Sequence, residues 1–225
     1  MPKPKCRHVG WYTEKMEYAY TFGDPDRLYL NATNRCTNRC GFCVRYHADG
    51  LGDSILWGGE EPDFPALRES VRRRGAFEKW REFIWCGFGE PTFRLDLILD
   101  AASWLRSRGA RIRLNTNGHA CLIHGRDVLP DLSQAVHEVS ISLNAPNFER
   151  YAELCRPDPD SLVGRAGVDS MPRRFWDATL DFLSRSTSCF ETVQASVVGF
   201  ALSSEEIEQC RRLALSLGVR QFRVR

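Results

Sequence analysis

The sequence has no apolar run approaching the ~20 residues needed to cross a bilayer, so a membrane-embedded role is not expected. Its first residues, Met-Pro-Lys-Pro-Lys-Cys-Arg-His, are basic but lack the apolar stretch of a secretory signal. Charge of one sign is also missing: 31 Lys and Arg against 29 Asp and Glu leave a net +2, too little to imply a general polyanion partner. Basic runs at Arg72-Arg73-Arg74, Arg106 to Arg113 and Arg173-Arg174 read as solvated helix faces, not as a polynucleotide surface. There is no internal repeat and no low-complexity tract. Six of the nine cysteines (Cys6, Cys86, Cys121, Cys155, Cys189, Cys210) form no close pair, and each reads as a buried small hydrophobe. What remains is one globular chain of 225 residues, 43% hydrophobic, long enough for a substantial core. In an unexported, cytoplasmic protein, nine cysteines point to metal or thiol chemistry in place of disulfides.

The other three cysteines are concentrated. Cys36, Cys40 and Cys43 are spaced CxxxCxxC. A four-iron cluster ordinarily takes four thiolates, so three would leave one iron free to bind something else. Two other readings stay open on spacing alone. With His47, the triplet makes a Cys3His zinc set. Positions i, i+4 and i+7 also trace one buried helix face, although Thr33, Asn34, Thr37, Asn38 and Gly41 are poor helix formers.

Strand and helix signals alternate along the chain. Strands are expected at Leu28–Thr33, Glu82–Gly87, Arg111–Thr116, Glu138–Leu143, Thr192–Phe200 and Val219–Arg225. Helices are expected at Phe64–Trp80, Leu95–Arg108, Val128–Gln134, Phe175–Ser186 and Ser203–Ser216. Tyr18–Phe22 and the turn Gly23-Asp24-Pro25-Asp26 form an antiparallel extension over residues 1–27, and residues 28–225 the main unit. Arg156–Met171, rich in Pro, Gly and Asp, reads as a long surface loop. Parallel strands are usually apolar on both faces. Here one face is polar: Ser140, Ser142 and Asn144 interleave with Val139, Ile141 and Leu143, and Arg113, Asn115 and Asn117 with Ile112 and Leu114. This pattern predicts an α/β fold with six strands in an incomplete barrel, (β/α)6, whose wet lumen holds polar ligands. Functional groups then gather at the C-terminal strand ends, where the cysteine triplet lies.

These motifs resemble the radical S-adenosylmethionine (SAM) superfamily. Cys86-Gly87-Phe88-Gly89-Glu90-Pro91 is similar to its GGEP element, with Phe88 in place of the first glycine. The resemblance implies a [4Fe–4S] cluster on Cys36, Cys40 and Cys43, with SAM on the open iron, cleaved reductively to a 5′-deoxyadenosyl radical. It also implies that Phe42 meets the adenine, that Gly87, Phe88, Gly89 and Glu90 hold the methionyl amino group, and that Asn117, Ser142 and Asn144 hold the ribose and carboxylate. Val198 is a weaker adenine contact. Leu28-Tyr29-Leu30-Asn31, Leu114-Asn115-Thr116-Asn117-Gly118-His119, Ser140–Pro146 and Phe222-Arg223-Val224-Arg225 are further similar to a group of small radical SAM proteins linked to TatD, a family of metal-dependent hydrolases.

The other luminal groups bear on substrate. Asn31, Asn115, Arg223 and Arg225, with His47 and His119, offer amides, guanidinium forks and imidazoles. His119 is an acid–base candidate, and Arg223 with Arg225 an anion clamp. A small polar molecule fits this lining, and analogy with minimal radical SAM enzymes suggests a modified, deazapurine-type nucleoside and a lyase reaction. The expected partners are that substrate, a low-potential electron donor such as flavodoxin or ferredoxin, and a TatD-type hydrolase as a functional neighbour. Two alternatives are an activase that abstracts hydrogen from a glycyl-radical enzyme, and a non-enzymatic zinc or iron–sulfur module.

Overall fold

The computed structural model describes residues 16–58, 60–162 and 172–225. Ala19–Tyr20 (β1) and Arg27–Leu30 (β2) form an antiparallel hairpin, turning at Gly23 with φ +72°. Gly50–Leu51 (β3) and Ser54–Ile55 (β4) make a separate two-stranded hairpin. Helices and strands then alternate: Phe64–Arg73 (α1), Glu82–Trp85 (β5), Leu95–Arg106 (α2) and Arg111–Thr116 (β6). Two short helices, Ala120–His124 (α3) and Leu129–Ala135 (α4), precede Glu138–Ser142 (β7). Phe148–Cys155 (α5) and Arg173–Ser186 (α6) lead to Thr192–Val197 (β8), and Ser204–Ser216 (α7) to Gln221–Val224 (β9).

One seven-stranded sheet runs β1-β2-β5-β6-β7-β8-β9, parallel throughout except at β1. With β1 and β9 at its edges the sheet is open, and no closed barrel forms among the described residues.

Local chemistry sets the element ends. Asp63 caps α1 by accepting from the Ala66 N–H, and Ser203 and Glu206 form a reciprocal capping box on α7. α1 stops at Arg73, short of the expected Trp80. Gly75 takes φ +115°, a conformation that ends the helix, and a separate 3-10 turn follows at Phe77–Lys79. α5 was not anticipated. Its signals are Asn147, which accepts from the Arg150 N–H, and the buried pair Tyr151 and Cys155 at i,i+4. Apart from β6, the expected strands end earlier than anticipated, because the backbone there leaves the ladder to build loops. Of the expected 156–171 loop, residues 163–171 lie outside the described residues. The described part forms a bridge, Asn38 to Pro157, and a 3-10 turn at Pro159–Leu162.

The two faces of the sheet differ as the alternation requires. Leu28, Leu30, Phe83, Trp85, Ile112, Leu114, Val139, Ile141, Ala195 and Val197 join the helical residues Leu97, Leu105, Phe182 and Leu183 in one core. The other face carries polar rows fixed by register: Asn115, Ser140, Gln194 and Gln221 lie side by side, as do Ser142, Ser196 and Arg223. Its N-terminal end is closed by ion pairs. Glu82 meets Arg27 at 3.1 Å and Arg113 at 3.3 Å, and Arg113 reaches Glu138 at 3.7 Å. Arg113 and Glu82 are both buried, so each compensates the other's lost hydration. Arg113, expected in the ligand-facing lining, belongs to this floor.

Candidate functional site

Beyond β2 the chain turns across the C-terminal strand ends and carries Cys36, Cys40 and Cys43, all partly buried. Backbone bonds pin this loop on both sides. Glu90 N–H donates to the Arg35 carbonyl (2.7 Å), Arg39 N–H to Cys155 (3.0 Å), Gly41 N–H to Leu154 (3.0 Å), and Asp158 N–H to Thr37 (2.8 Å). Between the first two cysteines, Thr37 and Asn38 are buried. Thr37 Oγ1 lies 2.7 Å from His119 Nδ1 and accepts from Asn117 Nδ2 at 2.7 Å. Asn38 Nδ2 donates to the Tyr151 hydroxyl at 3.1 Å.

The thiols are held in an environment that disfavours bare thiolates. Burial pushes the Cys36 pKa up to about 12 and raises that of Cys43. Cys40 is raised by its hydrogen bond with the Cys155 thiol and then by burial. One cation opposes this at all three, Arg45, which sequence reasoning missed. Its Nη1 donates to the carbonyls of Asn34 (3.1 Å) and Phe88 (3.2 Å), and its guanidinium lies over the Trp57 ring at 5.0 Å. The CVRY context offered no signal for this, because the partners come from distant segments.

The segment after β5 packs tightly under this loop. A Cβ on Gly89 would sit 2.4 Å from the Arg35 carbonyl oxygen and 2.5 Å from that of Thr33. One on Gly87 would sit 2.0 Å from Asn31 Oδ1. Only glycine lets the two backbones approach so closely. Phe88 is buried with Tyr20 and Leu56 and meets Trp57 edge-on at 5.8 Å, so it anchors the β3–β4 hairpin against the site. Glu90 is turned inward. Oε1 accepts from Thr92 N–H (3.1 Å), Thr92 Oγ1 (2.8 Å) and Thr116 Oγ1 (2.8 Å), and Oε2 from Asn117 N–H (2.7 Å). Burial nonetheless raises its pKa.

A family model for the radical SAM superfamily matches residues 30–214. The chain belongs to the radical SAM superfamily. Solved structures with a similar fold include SuiB of Streptococcus suis bound to the precursor peptide SuiA, 15% identical with a TM-score of 0.61. SuiB bound to S-adenosylmethionine is 14% identical with a TM-score of 0.62, and methylornithine synthase, PylB, is 12% identical with a TM-score of 0.53. The match covers 89% of this chain and 39% of the peptide-bound SuiB, and 88% of this chain and 52% of PylB. This chain thus spans about two-fifths of SuiB and half of PylB. No curated protein matches it.

The cofactors of a radical SAM protein are a [4Fe–4S] cluster and S-adenosylmethionine, and the donor set here suits both. Cys36 and Cys43 each lie close enough to Cys40 to feel its charge. A metal centre supplies the positive charge that ionises such thiols outright. Among the described residues, no three Cys, His, Asp or Glu side chains come together as ligands of one metal ion. The zinc reading needed His47, which is exposed and lines a separate cavity of about 720 Å³ with Arg39, Tyr46 and Arg156. Among the described residues the buried amide oxygens Asn144 Oδ1 and Asn115 Oδ1 have no hydrogen-bond partner; the first would accept a donor from SAM and the second from a polar ligand beside it. Asn144 holds this place with φ +57°, in the left-handed region that Asn tolerates. Phe42 is half-buried and lines a second cavity of about 350 Å³ beside Gly41 and Phe200. Val198 is half-buried where β8 passes into a 3-10 turn.

The radical SAM fold reassigns several expected site residues. His119 is wholly buried, its ring between Thr37, Tyr151 (3.0 Å) and Thr179 (3.1 Å), and burial lowers its pKa to about 3. A neutral imidazole with both nitrogens engaged within the protein braces the loop. The Glu90 carboxylate and the Asn117 amide are likewise committed within the protein, which leaves this segment its backbone groups to offer a ligand. Asn31 is buried, its Nδ2 donating to the carbonyls of Leu56 (3.2 Å) and Glu17 (3.4 Å). Arg223 and Arg225 part company. Both residues are exposed, but the Arg225 guanidinium turns toward the sheet and donates from Nη2 to Ser142 Oγ (2.8 Å) and Ser196 Oγ (2.7 Å). Burial lowers the Arg225 pKa. Among the described residues, no helix is long and apolar enough to cross a membrane.

Proposed function

We propose that this radical SAM protein is an enzyme that acts on a small, polar, anionic molecule, of which a modified deazapurine-type nucleoside in a lyase reaction is the leading instance. The supporting observation is the charge of Arg225. Its hydrogen-bond partners are two serine hydroxyls, no carboxylate pairs with it among the described residues, and the charged or ionisable groups within electrostatic reach are the Cys86 thiol and the cations Arg223 and Arg113. A guanidinium held by neutral hydroxyls favours an anionic ligand, which supplies the countercharge those hydroxyls do not.

When bound, the reduced cluster and SAM supply a 5′-deoxyadenosyl radical. The protein's own part is to hold and orient. Cys36, Cys40 and Cys43 hold the cluster; the backbone of Gly87–Glu90, with Ser142 and Asn144, orients SAM; Phe42 and Val198 contribute apolar contacts. Asn115 and Arg225 then orient the substrate along the polar face, above the Arg27–Glu82–Arg113 floor. A low-potential reductant such as flavodoxin or ferredoxin, a cytoplasmic setting and a link to a TatD-type hydrolase belong to the same reading.

The test is an anaerobic assay of 5′-deoxyadenosine formation over a panel of nucleosides and small anions. A true substrate raises production well above the uncoupled background and passes deuterium from one position into the product. Arg225→Ala is expected to weaken that stimulation roughly ten- to hundredfold in apparent affinity, the loss of a charge-assisted contact, and to lower uncoupled cleavage far less, since it removes only one partner of Ser142. If no small molecule stimulates and a partner protein instead acquires a glycyl radical, the activase alternative replaces this one.

A further inference from the structure

Every polar group of Asn117 is used by the protein, and its bonds join two parts of the site that the sequence keeps apart. Its backbone N–H donates to Glu90 Oε2 (2.7 Å), in the segment that follows β5. Its Nδ2 donates to Thr37 Oγ1 (2.7 Å) and also approaches Cys36 Sγ (3.9 Å), in the cysteine loop. Oδ1 accepts from His119 N–H (3.0 Å), and the carbonyl accepts from Thr179 Oγ1 (3.0 Å) on α6. The next residue permits no easy rearrangement: Gly118 has φ +86°, and a Cβ there would sit 3.2 Å from the Thr179 Cα.

We propose that Asn117 is a positioning residue that fixes the Cys36 thiolate and raises the reduction potential of the cluster it holds. An N–H aimed at a thiolate stabilises the sulfur's negative charge, and does so more when the cluster carries an extra electron. Removing the donor therefore makes the cluster harder to reduce. Through Glu90 the same residue is tied to the turn that meets SAM, so the geometry of the SAM site and the potential of the cluster rest on one side chain. The inference depends on Cys36 being a cluster ligand.

The experiment compares anaerobically reconstituted full-length wild type, Asn117→Ala and Asn117→Leu, the last similar in shape but without the N–H. Iron and sulfide content are measured first, then the midpoint potential by EPR-monitored titration, with and without SAM. Either variant that keeps its iron is expected to reach a lower potential, with the reduced fraction at a fixed solution potential falling roughly tenfold. A wild-type potential in a variant with full iron content overturns the inference. If both variants lose iron, the potential of Thr37→Val decides. This change frees the Asn117 amide from Thr37 to bond Cys36 alone, so a potential at or above wild type supports the inference and a lower one refutes it. Failure of the wild-type chain to take up a cluster would instead refute the assignment of Cys36.

Discussion

Thr37 and His119 meet at 2.7 Å in a place no water reaches, both fully buried, and this contact ties the loop between Cys36 and Cys40 to the helical layer. It also carries a pH dependence. Burial holds the His119 pKa near 3 in the folded chain, whereas an unfolded histidine titrates near 6.5. Between those values the unfolded chain binds a proton that the folded chain refuses. Stability is therefore full above pH ~6.5 and falls as pH drops toward 3. His119→Gln is expected to be less stable at neutral pH but to show a shallower decline between pH 6.5 and 4. Denaturant unfolding of the apo protein across that range measures it, and an unchanged slope would rule His119 out as its source.

Cys36→Ala, Cys40→Ala and Cys43→Ala should each abolish cluster assembly, since each removes one thiolate. Cys189→Ala, half-buried and far along the chain, should retain about four irons and four sulfides per chain. Metal analysis with EPR of the reduced, SAM-perturbed signal distinguishes the cases. Stoichiometric zinc without a SAM-responsive cluster would contradict the cofactor assignment.

Gly89→Ala puts a methyl group against two backbone oxygens at 2.4 and 2.5 Å. The loop carrying Cys36 has to move, at a cost of roughly 1–3 kcal/mol. Lowered thermal stability of the apo chain, together with reduced iron uptake, is the expected pair of results. Wild-type values of both would mean that the two segments are not in register as described.

Glu90→Gln replaces a carboxylate that accepts four hydrogen bonds with an amide that turns a donor toward donors. The mismatch costs roughly 1–3 kcal/mol. Since Glu90 ligates no iron, the cluster should survive while SAM binding weakens, because the backbone of the turn loses its brace. Equilibrium SAM titration checks this, and unchanged affinity would remove Glu90 from the SAM site's support.

Much of this was legible in the chain itself. The alternation of Ser140, Ser142 and Asn144 with Val139, Ile141 and Leu143 predicted a polar sheet face, and the register shows that face continuing across β6 to β9. Arg111–Thr116 was delimited correctly because a charged edge and a glycine turn bound it. α5 was missed because its eight residues carry only two buried positions, too few for a periodic signal. Arg45 was missed because nothing local marks a cation whose partners are the carbonyls of Asn34 and Phe88.

Sequence alone determined the chemistry on offer: three thiols at a fixed spacing, a glycine-rich turn after the second of the six predicted strands, and a period of two that makes one sheet face polar. Those properties are local, since spacing and alternation act within a few residues. Tertiary structure decided which polar groups are left for a ligand. Glu90, Asn117 and His119 look like site residues in the sequence, yet their hydrogen bonds are spent on each other and on Thr37, Thr92, Thr116, Tyr151 and Thr179. Arg223 and Arg225 look equivalent, yet only Arg225 is anchored inward, by Ser142 and Ser196 on neighbouring strands. The physical reason is that a buried donor or acceptor must find a partner, and that partner is chosen by elements far apart in the chain.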